Sequence, residues 1–423
     1  MNRAAGLREN IAALSILQAL NYVAPLITVP YLVRVLGPAH FGLLSFAQAL
    51  IVYFDAITGY GFSLSATRAV AHCRSEPARL SEAFWRTIYA RTALMLASGA
   101  VLTILVAATP RLRATPLLYA AAFLTVVGTV AFPAWFFQGL EQMRAITLAQ
   151  ATARALSIPA LILLVHRPED YLHAAVIQGA VPVLASILIA PAVWRRLPFR
   201  PPPPRLAEIA RTLREGWSLF VTQIGLVLST ATTTVVLGFV AGSTEVGYYS
   251  AADKVVRAAS SLLGPVAQAL YPHLSSLRKH SLDLTLSVMR KSFAWIGALA
   301  LGASVATFVL AGPVGLLLWG PGFAPSVTVL RCLSPLPLVF ALINILGTQT
   351  MLVFEMDVLL GRIVLFGAAV NLVLSAILSS AFGAVGAAAA TVTSCALIVV
   401  CLAWSVHREG TLWRRPPQTV CAS

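Results

Sequence analysis

The chain reads as a series of long apolar runs separated by short polar or basic segments. The runs fall at 10–32, 40–62, 86–108, 116–137, 145–165, 171–194, 216–240, 247–271, 292–318, 327–352, 361–381 and 384–406. A helix needs about 20 residues to cross the hydrocarbon core of a bilayer, and each run is long enough. No run alternates apolar and polar positions as a membrane strand does, and backbone groups in lipid must bond within their own segment. The pattern therefore predicts an all-α polytopic membrane protein with twelve transmembrane helices. The longest connection carries Pro201-Pro202-Pro203-Pro204, which cannot continue a helix. It divides the chain into a six-helix bundle at 1–194, an Arg/Pro-rich cytoplasmic linker at 195–214, a second six-helix bundle at 215–406 and a cytoplasmic tail at 407–423. An internal repeat supports the division. Thr28, Leu32, Gly37, Gly42, Ser45 and Ala47 recur 205 residues later as Thr233, Leu237, Gly242, Gly247, Ser250 and Ala252. An even number of spans per half gives both halves the same orientation, which predicts two bundles around a central cavity.

Composition and charge sharpen this picture. Of 423 residues, 58% are hydrophobic and 11% charged, against about 45–50% and about 25% in soluble domains, which excludes a water-soluble fold. The net charge of +15 would suggest nucleic acid in a soluble protein, but here its position matters. With the N-terminus inside, 21 Arg and Lys residues fall on inner segments and only Arg34, Arg111, Arg113 and Arg167 on outer ones. That is a positive-inside bias, with both termini cytoplasmic in a multi-pass inner-membrane protein and no nucleic-acid partner. Trp85, Trp135, Trp194, Trp217, Trp295, Trp319 and Trp404 lie near run ends, where an interfacial aromatic belt is expected. The N-terminal run continues past 20 residues without a small-residue cleavage site, which predicts a retained first helix. Five cysteines lack a CxxC, seven histidines lack HxxxH or HExxH spacing, and there is no P-loop. No catalytic residue, metal site or cofactor is expected, and ATP does not drive the protein directly.

Some charges lie inside the apolar runs: Arg91, Arg154, Lys254, Arg257 and Arg331 against Asp55 and Asp253. A charge at mid-bilayer costs at least about 2.5–3.5 kcal/mol, so it normally faces a cavity or a partner. Arg91 and Arg331 are near enough to run ends to snorkel, and Asp253 and Arg257, spaced i,i+4, can pair with each other. Arg154 and Lys254 have no such local explanation. The excess of cations predicts an anionic guest, and a guanidinium fork matches phosphate. Asp55 and Asp253 are candidate proton carriers or static ion-pair partners. Asn21, Gln48, Gln150, Gln223 and Asn344 could contact a polar guest or act as interhelical glue.

Several segments resemble one family. Pro30-Tyr31-Leu32-Val33-Arg34-Val35-Leu36-Gly37 followed by Phe41-Gly42 is similar to the first-loop signature of bacterial polysaccharide-biosynthesis flippases. So are Gly59-Tyr60-Gly61-Phe62 with Ser65-Ala66-Thr67-Arg68, Trp135-Phe136-Phe137-Gln138-Gly139-Leu140-Glu141, Val246-Gly247-Tyr248-Tyr249-Ser250-Ala251-Ala252-Asp253-Lys254, and Gln268-Ala269-Leu270-Tyr271-Pro272. The chain resembles the O-antigen (Wzx-type) oligosaccharide flippases of the multidrug/oligosaccharidyl-lipid/polysaccharide exporter superfamily from about residue 9 to 405. It departs from many relatives at Gly59 and Asp253, where acidic residue types differ. The resemblance implies translocation of undecaprenyl-pyrophosphate-linked oligosaccharide units by alternating access, coupled to proton or sodium. It implies a lipid-linked oligosaccharide and membrane lipid as partners, with a polysaccharide polymerase and a chain-length regulator alongside. It also brings Arg34 to the outer exit, beside Arg91, Arg154, Lys254, Arg257 and Arg331 as substrate-binding residues and Asp55 and Asp253 as ion-coupling residues. A multidrug or cation exporter would share the topology but should line its cavity with acids. A polysaccharide polymerase or ligase would need a large outer loop, and the outer connections here are short.

Overall fold

The computed structural model describes residues 3–197, 206–261, 282–351, 353–354 and 356–408. The Pro201–Pro204 run, the Gln268–Pro272 segment and the predicted tail beyond 408 lie outside them. Among the described residues the chain is helical, without strands. It forms two compact units, Met1–Ala231 and Thr232–Ser423. The first holds α1 (Arg3–Gly59), α2 (Phe62–His72), α3 (Pro77–Ala108), α4 (Pro110–Arg113), α5 (Pro116–Ala131), α6 (Ala134–Gly139), α7 (Met143–Leu164) and α8 (Tyr171–Trp194). Helix α9 (Leu206–Val240) crosses from the first unit into the second. The second continues with α10 (Ser243–Ser261), α11 (Leu282–Val309), α12 (Ala311–Trp319), α13 (Ala324–Leu333), α14 (Leu336–Ile343), a π-helical stretch Asn344–Met351, and α15 (Asp357–Arg408).

Eight helical stretches among the described residues are long and apolar enough to cross a membrane. Two of them, Ala24–His72 with 49 residues and Val358–Arg408 with 51, are twice the length one crossing needs. Each is bent at a glycine. Gly37 sits at φ 69° inside α1 and Gly383 at φ 55° inside α15, left-handed conformations that favour a residue without a Cβ. Pro38 then restarts the helix at a position where its missing N–H costs nothing. The expected loop around Arg34 is therefore no loop: Arg34 is helical and exposed, and the turn is confined to Gly37.

The internal repeat has a structural counterpart. Gly242, the partner of Gly37, sits at φ 93° between α9 and α10. Leu32 and Leu237 are 3% and 0% exposed, Ser45 and Ser250 both 5%, Ala47 and Ala252 both 0%. Matching burial at matching positions shows that the repeated residues serve the same packing in each half.

Close helix approach in the first unit depends on small residues. Gly128 of α5 lies against Pro182 and Val183 of α8, and a Cβ on Gly179 of α8 would come within 2.5 Å of the Ala121 carbonyl oxygen. Glycine there lets two backbones meet, the packing that membrane helices use in place of a hydrophobic driving force. Several expected runs break at proline or glycine. Phe132 and Pro133 interrupt the run at 116–137, because proline excludes the helical conformation from the residue before it. Leu310 divides the run at 292–318, and Ser334–Pro335 divides the one at 327–352. The aromatic belt is only half present. Trp194, Trp217, Trp295 and Trp404 are 58–73% exposed, whereas Trp135 and Trp319 are 3% exposed and belong to the packing inside their units.

Candidate functional site

Charged side chains collect at one place within each unit. In the first, Asp55 of α1 is half-buried and accepts a hydrogen bond from the Thr129 hydroxyl of α5 at 2.5 Å. Arg91 of α3 is 7% exposed, and its Nε donates to the Thr58 carbonyl at 3.4 Å. Asp55 is the carboxylate that acts on the Arg91 charge. Arg91 is packed inside the unit, on a helix that begins at Pro77 rather than at 86, about four turns before it. The earlier start comes from Arg79, Glu82 and Arg86, which give the first turns a polar character that an apolar run does not register. Two turns of α1 before Asp55, the Gln48 side-chain amide donates to Gln178 of α8 at 2.8 Å, so Gln48 acts as interhelical glue here.

In the second unit, Asp253 and Arg257 of α10 form an ion pair at 2.6 Å. The i,i+4 alternative raised by their spacing is thus the observed arrangement. Lys254 is half-buried beside them. One carboxylate faces two cations on this helix, so the triplet keeps an excess positive charge. The remaining candidates stand apart from both clusters. Arg154 is half-buried on α7, Arg34 is exposed on α1, and Arg331 is exposed in the last turn of α13, where a cation suits the helix dipole.

Two further polar features are not legible in the sequence. Tyr249 and Thr233 meet Thr391 hydroxyl to hydroxyl at 3.1 and 3.2 Å. Thr233 also donates to Asn371 at 3.0 Å, whose amide donates to Ser394 at 2.9 Å. This network is buried and ties α9 and α10 to both segments of α15. It contains no carboxylate; apart from the Asn371 amide its members are hydroxyls, too common in apolar runs to mark a site. The second feature is Glu245, whose Oε2 accepts the Ala384 backbone N–H at 2.7 Å, immediately after the Gly383 bend. A carboxylate at the start of the last helical segment satisfies an orphan donor and complements the dipole. Glu245→Ala should destabilise the second unit by about 1–3 kcal/mol, the cost of orphaning a buried donor to a charged acceptor, while Glu245→Gln keeps most of the stability. Thermal unfolding of the two purified variants in detergent measures the difference, and equal midpoints would show the contact is dispensable.

Two of the sequence motifs pack against each other rather than line a charged site. Thr67 donates to the Trp135 carbonyl at 3.2 Å, and Arg74 donates to the Gly139 carbonyl and pairs with Glu141 at 2.9 Å. Tyr60, Phe62, Phe84, Trp135, Phe136 and Phe137 share one buried aromatic core with the end of α8. Their conservative chemistry is that of a joint between α2 and α6.

Residues 7–278 match the family described as polysaccharide biosynthesis protein. Over 382 residues the chain is 30% identical to "Putative O-antigen transporter" of Escherichia coli (strain K12), spanning 90% of this chain and 92% of that protein. A protein of the same description from Shigella dysenteriae is 28% identical over 384 residues, 90% of this chain and 95% of that one. Among solved structures, the chain is similar to a lipid II flippase MurJ in an inward closed conformation, with TM-score 0.74, 12% identity and coverage of 95% and 89%. It is similar as well to an inward-facing multidrug resistance MATE family transporter of the MOP superfamily, with TM-score 0.72, 15% identity and coverage of 96% and 100%. At these identities the two structures establish the fold and nothing about the cargo.

Proposed function

The chain belongs to the polysaccharide biosynthesis protein family, and on that premise we propose that it flips undecaprenyl-pyrophosphate-linked oligosaccharide units across the cytoplasmic membrane for surface-polysaccharide assembly. The observation that carries the reading is the end-to-end likeness to O-antigen transporters, which spans both units. A multi-pass membrane transporter is the common ground of the relatives and the apolar helices. Twelve crossings follow if Ala24–His72 and Val358–Arg408 each cross twice at their glycine bends and α9 and α10 begin one crossing each. Both termini then lie in the cytoplasm, in agreement with the positive-inside bias.

In this reading Arg34, Arg154, Lys254, Arg257 and Arg331 supply positive charge along the route of the pyrophosphate, Arg91, the sixth candidate, braces the first unit beside Asp55, and Asp55 and Asp253 couple transport to an ion. The lipid tail stays in the bilayer, so only the headgroup needs a polar path. The excess of cations on the apolar helices supports an anionic cargo and weighs against the cation-exporter reading, which the MATE-like fold would otherwise allow. The protein should restore long-chain surface polysaccharide to a strain lacking its own O-antigen flippase, seen as a ladder on lipopolysaccharide gels. Cysteines placed at 198–205 should label only from the cytoplasmic side. Absent restoration with a well-expressed protein would overturn the function, and labelling from outside would overturn the orientation.

A further inference from the structure

The first unit contains a crevice that the transport reading does not use. It has a volume of about 380 Å³ and is walled by Trp85 and Ile88 of α3, Pro133, and Ile189 and Val193 of α8, with Leu197 beyond. That lies within the ~300–1,000 Å³ range of small-molecule sites. The crevice lies where Phe132, extended at φ −86° and ψ 105°, and Pro133, at φ −87° and ψ 58°, interrupt the helix between α5 and α6. Its lining is apolar apart from Ser186, whose hydroxyl is turned to the Val183 carbonyl at 2.7 Å.

Two observations say what kind of guest it suits. At its end, α8 runs through Trp194, 68% exposed, into the exposed pair Arg195-Arg196. An exposed tryptophan followed by paired arginines is the chemistry of a membrane interface that meets anionic headgroups. In addition, the indole N–H of Trp85, which lines the crevice, is buried without an acceptor among the described residues. Buried donors of this kind call for an oxygen-bearing partner. We infer that the crevice between α3, α5 and α8 holds one hydrocarbon tail of an anionic bilayer phospholipid, with its phosphate held at the Arg195-Arg196 end. The occupant is a resident lipid of the first unit, not the transported one: every residue invoked belongs to that unit, and none is among the cations assigned to the cargo.

The test uses the full-length protein purified in mild detergent and equilibrated with phosphatidylglycerol or phosphatidylcholine, with retained lipid counted by native mass spectrometry. The wild type should retain phosphatidylglycerol in preference to phosphatidylcholine. The double variant Arg195→Gln/Arg196→Gln should retain it about 30-fold less, from roughly fivefold attraction per basic side chain at a membrane surface. Ala190→Phe, which fills the crevice wall and leaves both arginines in place, should also release it, with Ala190→Leu as the milder form if the larger ring impairs folding. Equal retention of both lipids, or wild-type retention by the arginine variant, overturns the inference. So does retention by both crevice-filling variants, which would place the lipid on the arginines alone. Preferential retention of undecaprenyl phosphate over phosphatidylglycerol would assign the crevice to the carrier lipid and overturn it too. None of these readouts depends on transport, so the result stands apart from the flippase reading.

Discussion

Lys254→Ala lowers surface-polysaccharide export by about 10- to 100-fold, the worth of one or two charge-assisted hydrogen bonds, while the protein inserts and melts as the wild type does or at a higher temperature. The two halves of this expectation come from the same fact. An ammonium group on an apolar helix costs folding free energy, about 2.5–3.5 kcal/mol on insertion scales, so its removal should not destabilise the bundle. Lys254 is half-buried on the same helix, next to an Asp253 carboxylate that pairs with Arg257 at 2.6 Å, so its ammonium belongs to a charged cluster on an otherwise apolar bundle. Arg154→Ala, half-buried on α7, should behave in the same way. Complementation gels measure export, and thermal unfolding in detergent measures stability. Normal export in both variants would remove the anionic-cargo reading, and a large loss of stability would make the cations structural.

Apolar run lengths revealed the helical class, and the repeat marked Gly37 and Gly242 as equivalent before either positive φ was known. Both signals are local, since hydrocarbon thickness and glycine's freedom act on a few residues at a time. Pairing across the bundle was not legible. Asp55 could be flagged as a costly charge, but its hydrogen bond to Thr129 spans 74 residues and depends on how α1 meets α5. Glu245 looked like an ordinary acid at a helix start, and only the bend at Gly383 gives it an acceptor's task. Trp135 was misplaced in the interfacial belt for the same reason. Its position near the end of a run is compatible with either a membrane interface or an aromatic core, and the packing of α2 on α6 decides for the core. Two of the motifs that mark the family are, in the first unit, such joints.

Arg91 is expected to oppose Lys254 in sign. Its guanidinium is 7% exposed, hydrogen-bonded to the Thr58 carbonyl and electrostatically partnered by Asp55, which Thr129 holds in place. Removing the guanidinium leaves the Thr58 carbonyl without its donor and Asp55 without its nearby cation, which costs about 1–3 kcal/mol. Arg91→Ala should therefore lower the thermal midpoint and the amount of protein in the membrane, with export falling in proportion. Replacing both charges at once removes the uncompensated carboxylate, so Asp55→Asn/Arg91→Leu should be more stable than Arg91→Leu alone. A double-mutant cycle on Asp55→Asn and Arg91→Leu should give a coupling energy within about 0.5–3 kcal/mol, as groups in one polar cluster do. Additive effects would show that the two charges act independently. If Arg91→Ala instead melted as the wild type while export was lost, Arg91 would hold the cargo rather than the bundle, and the division between strut and binding cations would have to be redrawn around it.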